Sequence, residues 1–568
     1  MNDKYLSLME KTLSAYTDEH ILRYFNDVKR NGLTEHGFPR LTANIGILIS
    51  YGRRCDLLPL FLEMMEFCCK TIPTVKAAND FSVREMVSCI MELEKNEVVK
   101  KEHITRWKGY LAKIKPESCY DQYAKTLTDS VKNWALFTGC SEYFRQSIGL
   151  CDASEFVDLQ IAQQLQWFDE NGMYMDAMDE FHHPLVYDLV SRGLVALLLF
   201  AGYRGKYYKV LDDILRKAGL LTLNMQSATG ECAFGGRSNQ FVHNEAWLAA
   251  IFEYESSRYQ REENYTLAKK FKAAALQALK VIEFWLSQNP ISHVKNKFSI
   301  NSKFGCEKYA YFDKYMITTA SNLYTASLFC DDAITSLETD FSPMIWSTSK
   351  YFHKTFVRAG EYSLEFEMNA SAYLDANGLG RIQKKGAPSA ICISVPFPFS
   401  QEGCHYSTGD YKNECNFSVC PSIKKEDGWI FGAGVSTKYT LGFGEIGSKD
   451  AQINFNCSFE NGEKLCFLCS VDEDGVLLKA QGNVNEEVGI ALPIFAFDGK
   501  NHTKINESNN RIIVEYEGWS CEYSAQNISN LQKEFANRNG IYKGYIATGK
   551  GKVSVRIKIY PFKAEEGE

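Results

Sequence analysis

From residue 3 to about residue 331, apolar side chains recur at three- and four-residue steps, the period of helices that bury one face. The segments CDLLPLFLEMMEFCCKTI, SVREMVSCIMELEKN, SEFVDLQIAQQLQWFDE and YTLAKKFKAAALQALKVIEFWLSQ all read this way. In the last, Leu267, Phe271, Ala275, Ala278, Ile282 and Trp285 share a face while Lys269, Lys270 and Lys280 lie off it, which predicts an outer helix. By contrast, YDLVSRGLVALLLFAGY and NEAWLAAIFEYESSRY are apolar around most of their circumference and are predicted to lie inside. A dozen or slightly more helices of two alternating kinds predict an α/α toroid over residues 1–335, an (α/α)6 barrel either complete or incomplete. A helical-repeat solenoid is the rival, but no fixed sequence period supports one.

Past Asp332 the period changes to two. YSLEFEMNAS, AQINFNCSFENG, KLCFLCSVDEDG, RIIVEYEG and GKVSVRIKIYPF alternate apolar and polar positions, with turn signals such as ENG, DEDG and TGKG between such runs. Residues 345–568 are therefore expected to form an antiparallel β-sandwich, joined to the toroid by a short connection rather than a flexible linker. The chain of 568 residues is too long for one core, so two domains agree with its length.

Composition then narrows the partners. A net charge of −7 opposes a nucleic-acid or anionic-membrane partner, since both need a basic face. The first twenty residues lack the apolar core of a secretory signal, and LVALLLFAG is too short to span a bilayer, so a cytoplasmic location is expected. The 18 cysteines are scattered through apolar segments, as reduced small hydrophobes are; Cys466 and Cys469 form a lone CxxC in a strand-like run and read as structural. An aromatic share of 13% suits a sugar-stacking cleft but equally suits an all-β half.

The candidate chemistry gathers between Gln166 and Glu245, in two polar loops that each lead into an inner helix. The first holds His182 and His183 before Pro184, with Tyr187 one turn on; the second holds Arg237, Asn239, His243, Asn244 and Glu245. Each of these alone reads equally well as a helix cap or loop support. As a set they are denser than support requires. Asn133 and Trp134 are predicted in the interior of an upstream helix, where an Asn must find a partner or face a cavity. Two glycines before Arg237 let the backbone turn sharply and present a guanidinium suited to a carboxylate. Further on, Glu307, Tyr309, Tyr311 and Tyr315 open another helix, where an aromatic stripe packing inward is the blander reading and Tyr311 the cleft candidate. Arg381, in ANGLGRIQKKG, is expected on a Gly-rich turn leaning over the toroid mouth.

Asn, His, Tyr and Arg together suit β-elimination from a uronic acid. The proton at C5 is weakly acidic, so the adjacent carboxylate must be neutralised by amide, imidazole or guanidinium groups. A Tyr or His removes the proton and a Tyr returns one to the leaving oxygen. No cofactor or metal is needed by any motif present. The order of elements resembles the α/α-toroid plus β-sandwich polysaccharide lyases, the superfamily of the hyaluronate and chondroitin AC lyases with heparinase-like enzymes nearby. An Asn-Trp pair, then His and Tyr, then an Arg loop recur here as Asn133-Trp134, His183 with Tyr187, and Arg237, with fifty residues from Asn133 to His183 and fifty from Tyr187 to Arg237. That resemblance implies Asn133 and His183 as carboxylate neutralisers, Tyr187 as proton donor and possible base, Arg237 as an orienting cation, and His243 as a substitute base. The implied partner is a uronate-containing oligosaccharide, with Trp134, His182, Asn239, Asn244, Glu245, Tyr311 and Arg381 as binding candidates. The sequence departs from the family pattern in that His183 and Tyr187 are only four apart, ENGMY stands where an aspartate-glycine start is usual, and the β half is smaller.

Two other functions stay open from sequence. A glycoside hydrolase of the glucuronyl hydrolase kind needs paired acids, which Asp169, Glu170, Asp176, Asp188, Glu231 and Glu245 could furnish. A non-catalytic glycan-binding protein would use the aromatics but has little need of the His, Asn and Arg set.

Overall fold

The computed structural model describes residues 2–176, 181–402, 404–405 and 411–562. Its helical half runs α1 (Asn2–Leu13), α2 (Asp18–Asn31), α3 (Gly37–Ser50), α4 (Leu58–Thr71), α5 (Val83–Lys95), α6 (Lys101–Leu111) and α7 (Pro116–Cys119). It continues with α8 (Trp134–Ser147), α9 (Ser154–Gln164), α10 (Leu185–Phe200), α11 (Tyr208–Met225), α12 (His243–Arg261), α13 (Tyr265–Leu286) and α14 (Phe312–Phe329).

Six of these close a ring. Helix α3 packs on α5, α5 on α8, α8 on α10, α10 on α12, α12 on α14, and α14 returns to α3. Helices α4, α6, α9, α11 and α13 back them from outside, and α1 packs on α14. The burial follows the sequence pattern: every residue of α3, GFPRLTANIGILIS, is buried, whereas α13 buries Phe271, Ala275, Ala278, Ile282 and their neighbours on one face. The fold is thus an α/α toroid. Polar groups inside the ring pair with one another, as they must when water is excluded. Arg40 of α3 meets Glu85 of α5 at 2.9 Å, and Asn44 of α3 reaches Ser321 of α14 at 3.0 Å.

The same end of each inner helix opens at one mouth. His36, before α3, lies 4.8 Å from Phe81, before α5; Phe81 in turn lies 4.6 Å edge-on from Trp134 at the start of α8. The entry loops of α8, α10 and α12 meet through Asp176 and Arg237, and His243 of α12 lies 5.8 Å from Tyr315 of α14. Converging N-termini turn the positive ends of the helix dipoles toward the mouth.

After Met344 the chain is built of antiparallel sheets. Strands Met344–Ser347, Lys354–Ala359, Tyr362–Glu367 and Gly378–Lys384 form a four-stranded sheet in sequence order, and larger sheets of five and eight strands share a second core with it. The alternating pattern of Ala451–Ser458 and Lys464–Asp472 appears as alternating burial in those strands. The toroid and the β half therefore have separate cores, as the single change of period in the sequence implies. Among the described residues no helix is long and apolar enough to cross a membrane.

Candidate active site

The group of polar side chains at the mouth begins with the loop between α11 and α12, residues 226–242. Its backbone is shaped by Gly236, at φ 68°, where an added Cβ would lie 2.9 Å from Pro184 Cα, so only glycine fits against the α10 entry loop. Ser238 also has positive φ, 65°, and is held there from three sides. Its N–H donates to Glu307 Oε1 at 2.5 Å, its hydroxyl meets Tyr309 Oη at 2.9 Å, and its carbonyl accepts from Asn244 Nδ2 at 2.9 Å. Gln240 donates to the other oxygen of Glu307 at 2.9 Å.

So fixed, the loop delivers Arg237. Its guanidinium carbon lies 4.7 Å above the ring of Tyr187, and Nη2 is 3.3 Å from Asp176 Oδ2. Burial works against the charge of Arg237, but Tyr187, Tyr309 and Asp176 outweigh it and keep it firmly protonated. Asp176 accepts the backbone N–H of Asn133 at 3.1 Å, and burial pushes its carboxyl up to about 6 against the pull of that bond and of Arg237. The Tyr187 phenol is raised by burial, against the pull of Arg237, so it is protonated at neutral pH. Nearby, Lys132 sits over the ring of Trp167 and is lowered to about 8 by burial, which Asp176 opposes.

Several polar atoms here have no partner among the described residues: both ends of the buried Asn239 amide, Nε of Arg237 and Nδ1 of His243. His243 is stacked on Phe241, and burial lowers it to about 3, with Arg40, His293 and Lys295 adding to the shift. It is a neutral imidazole with a bare ring nitrogen. A buried amide without partners is expensive unless something polar occupies the space beside it.

Of the residues singled out in the sequence, Asn133, Tyr187 and Arg237 come together around Asp176. The position of Asn133 differs from expectation. Helix α8 starts at Trp134, with Asn133 as its cap residue, and residues 121–132 are not helical. Asp129 turns that stretch by accepting the N–H groups of Lys125 and Thr126, and Gln163 and Gln164 bind its carbonyls. Asn133 is thereby at the mouth rather than inside a helix. His183 is buried against Tyr351 and Phe352 of the β half, with ring centroids 6.1 and 5.8 Å away, and His182 lies 6.5 Å from His353.

Four binding candidates sit differently from expectation. Glu245 is fully buried, accepting through Oε1 from Lys295 Nζ at 2.7 Å and Cys232 N at 3.3 Å, while its Oε2 has no partner among the described residues. Asn244, also fully buried, donates its amide N–H to the Ser238 carbonyl and leaves Oδ1 without a partner among the described residues. Tyr311 points outward, 54% exposed, and Tyr309, two residues earlier, takes the place beside Ser238. Arg381 lies in strand Gly378–Lys384, buried, donating to Cys232 O at 2.8 Å and Ser394 O at 3.0 Å and pairing with Glu365 at 3.3 Å. Its flanking Gly380 makes no mobile turn; a Cβ there would lie 2.6 Å from Phe234, so the glycine admits that ring.

Arg381 belongs to a clamp by which the β half grips the Arg237 loop. Glu365 accepts from Phe234 N at 3.1 Å, Asp375 from Gly236 N at 2.9 Å, and Arg538 donates to Gly236 O at 2.8 Å. Lys354, over the Phe234 ring at 3.5 Å, pairs with Glu367 at 2.7 Å, its direct cross-strand neighbour. Neither Glu307 nor this clamp was legible as function in sequence, because each is an ordinary charged residue until the chain folds.

Compared with protein-family profiles and with curated proteins, the chain matches none. Solved structures resemble it in fold. The heparan sulfate lyase HepC from Pedobacter heparinus is similar at TM-score 0.44 and 12% identity, over 92% of this chain and 73% of that one. A variant of the chondroitin AC lyase from Streptomyces coelicolor A3 is similar at TM-score 0.44 and 9% identity, over 97% and 82%. A glycosyl hydrolase family 88 protein from Bacteroides vulgatus is similar at TM-score 0.38 and 10% identity, over 58% and 99%.

Proposed function

We propose that the protein is a carbohydrate-active enzyme, a lyase that cleaves a uronate-containing oligosaccharide by β-elimination at the toroid mouth. The observation that carries this is the Arg237 guanidinium lying over the Tyr187 ring and against Asp176, on a loop whose buried Asn239 amide has no partner among the described residues. In the proposed step a base takes the C5 proton, the C–H electron pair forms the C4–C5 double bond, the C4–O bond breaks, and the leaving oxygen takes a proton. Arg237, the Asn133 and Asn239 amides and the helix N-termini meet the carboxylate and the charge that develops on it. Tyr187, protonated at rest, supplies the proton that the leaving oxygen takes. Neutral His243, with Nδ1 bare, is the candidate base, and Tyr187 itself the other.

A hydrolytic reading has one observation in its favour, the raised carboxyl of Asp176, since a general acid needs such a pKa. Both its oxygens are engaged, however, by Asn133 N and Arg237, and Glu245 is bound to Lys295. Incubation with a panel of uronate oligosaccharides, followed in the near ultraviolet, tests the proposal. An absorbing unsaturated product supports elimination; cleavage without absorbance replaces it with hydrolysis, and binding without cleavage with a glycan-binding protein.

A further inference from the structure

A cavity of about 510 Å³ lies away from the mouth, between helix α13 with the loop after it and the β half. That volume is within the range of small-molecule sites. Its walls carry the indoles of Trp285 and Trp519 and the ring of Tyr516, with Phe284 edge-on to Trp285 at 5.0 Å. Such walls offer flat apolar faces.

What the polar lining leaves over is one-sided. Lys297 donates to Tyr516 Oη at 3.0 Å and pairs with Asp498 at 3.1 Å and with Glu517. Glu231 takes the Gln383 amide at 2.8 Å, and Asp498 also takes the Tyr516 hydroxyl at 2.8 Å. The wall's carboxylates are thus engaged. The groups without a partner among the described residues include three cationic or N–H donors, the two indole N–H groups and the ammonium of Lys280. An occupant that completes this wall must bring acceptors, a negative charge and a face that stacks on indole.

We propose that this cavity is a second binding site, for a pyranose ring bearing a carboxylate, stacked on Trp285 and Trp519 with its acid toward Lys280. It requires no turnover at the mouth. Because it bridges α13 and the β half, an occupied cavity would hold the two halves in their present arrangement, and with them the loop that carries Arg237.

The test is calorimetric titration of Arg237→Ala protein, in which the mouth has lost its cation, with methyl β-D-glucuronide and with methyl β-D-glucoside. The glucuronide is expected to bind more tightly than the glucoside. On that background Trp519→Ala should weaken glucuronide binding about tenfold. Lys280→Ala, at an exposed position where folding is not at stake, should weaken it about 3-fold or more while leaving the glucoside unchanged. Absence of glucuronide binding, or binding indifferent to both Lys280→Ala and Trp519→Ala, overturns the proposal. A protein without lyase activity can still pass this test, and an active lyase can fail it, so it is separable from the function proposed for the mouth.

Discussion

The guanidinium of Arg237 lies across the ring of Tyr187, 4.7 Å from its centroid, and its far nitrogen reaches Asp176 at 3.3 Å. One cation therefore links the phenol at the start of α10 to the carboxylate that holds the start of α8. Residues 50 and 104 positions apart in the chain, Tyr187 to Arg237 and Asn133 to Arg237, meet through that contact.

If the phenol delivers the proton, Tyr187→Phe removes the reacting group and leaves the ring under Arg237. The expected result is a fall in kcat of about 100-fold or more with KM altered by less than about 3-fold. Steady-state kinetics on an unsaturated-product assay read both. A fall confined to KM would make Tyr187 a binding residue only.

Arg237→Ala separates charge from geometry. Arg237 lowers the Tyr187 pKa, so its loss raises it. If the protonated phenol is the active form, activity persists to higher pH in the variant, and the alkaline limb of the kcat profile moves up, although the rate itself drops. A limb that stays in place would assign it to another group.

The architecture was legible because burial is written as periodicity: all-round apolar segments became α10 and α12, and the one-sided segment became α13. The site was legible only in part. Tyr187 and Arg237 announced themselves through glycines and helix entries, and both lie at the mouth. Arg381 misled because glycine beside arginine reads the same whether it frees a turn or admits a phenyl ring, here that of Phe234. The pairing of Glu245 was hidden because an acid at a helix start gives no sign that Lys295, fifty residues on, will bury itself against it.

That last pair carries a prediction. Glu245→Gln would strand the buried Lys295 ammonium, which only Glu231 nearby then offsets. A loss of about 3 kcal/mol is expected, the scale for a broken buried ion pair. Thermal unfolding should show it, with specific activity of the remaining folded protein nearly intact. Loss of activity without loss of stability would return Glu245 to the binding candidates.

The clamp of the β half predicts a distinct effect. Lys354 is buried among Glu365, Glu367 and Asp375, and its removal takes that cation from all three and leaves Glu365 with Arg381. Burial already pushes Glu365 up to about 7, with Arg381 and Lys354 opposing it. Lys354→Met should therefore raise it further and weaken the grip of Glu365 on Phe234 N, so proton uptake accompanies the substitution. Proton release measured on unfolding at pH 7 should increase relative to the unsubstituted protein; no increase would mean that the acids stay ionised and the clamp does not depend on Lys354.

His293 isolates the acid sensitivity of the mouth. Its Nε2 is 3.0 Å from Ala310 O, its Nδ1 is bare, and burial lowers it to about 4, with the bond to Ala310 opposing. A histidine lowered on folding contributes stability that is complete above its unfolded pKa of about 6.5 and is lost as pH falls through the folded value. Buried carboxylates such as Asp176 and Glu365, being raised, act in the opposite direction over the same range, so the melting temperature of one protein alone does not isolate the imidazole. The comparison with His293→Gln does, because glutamine keeps a donor for Ala310 and cannot titrate. Between pH 7 and pH 4 the unsubstituted protein should lose about 3 kcal/mol relative to the variant. Parallel stability curves would show that His293 is charged in the folded protein and that the mouth has room for water beside it.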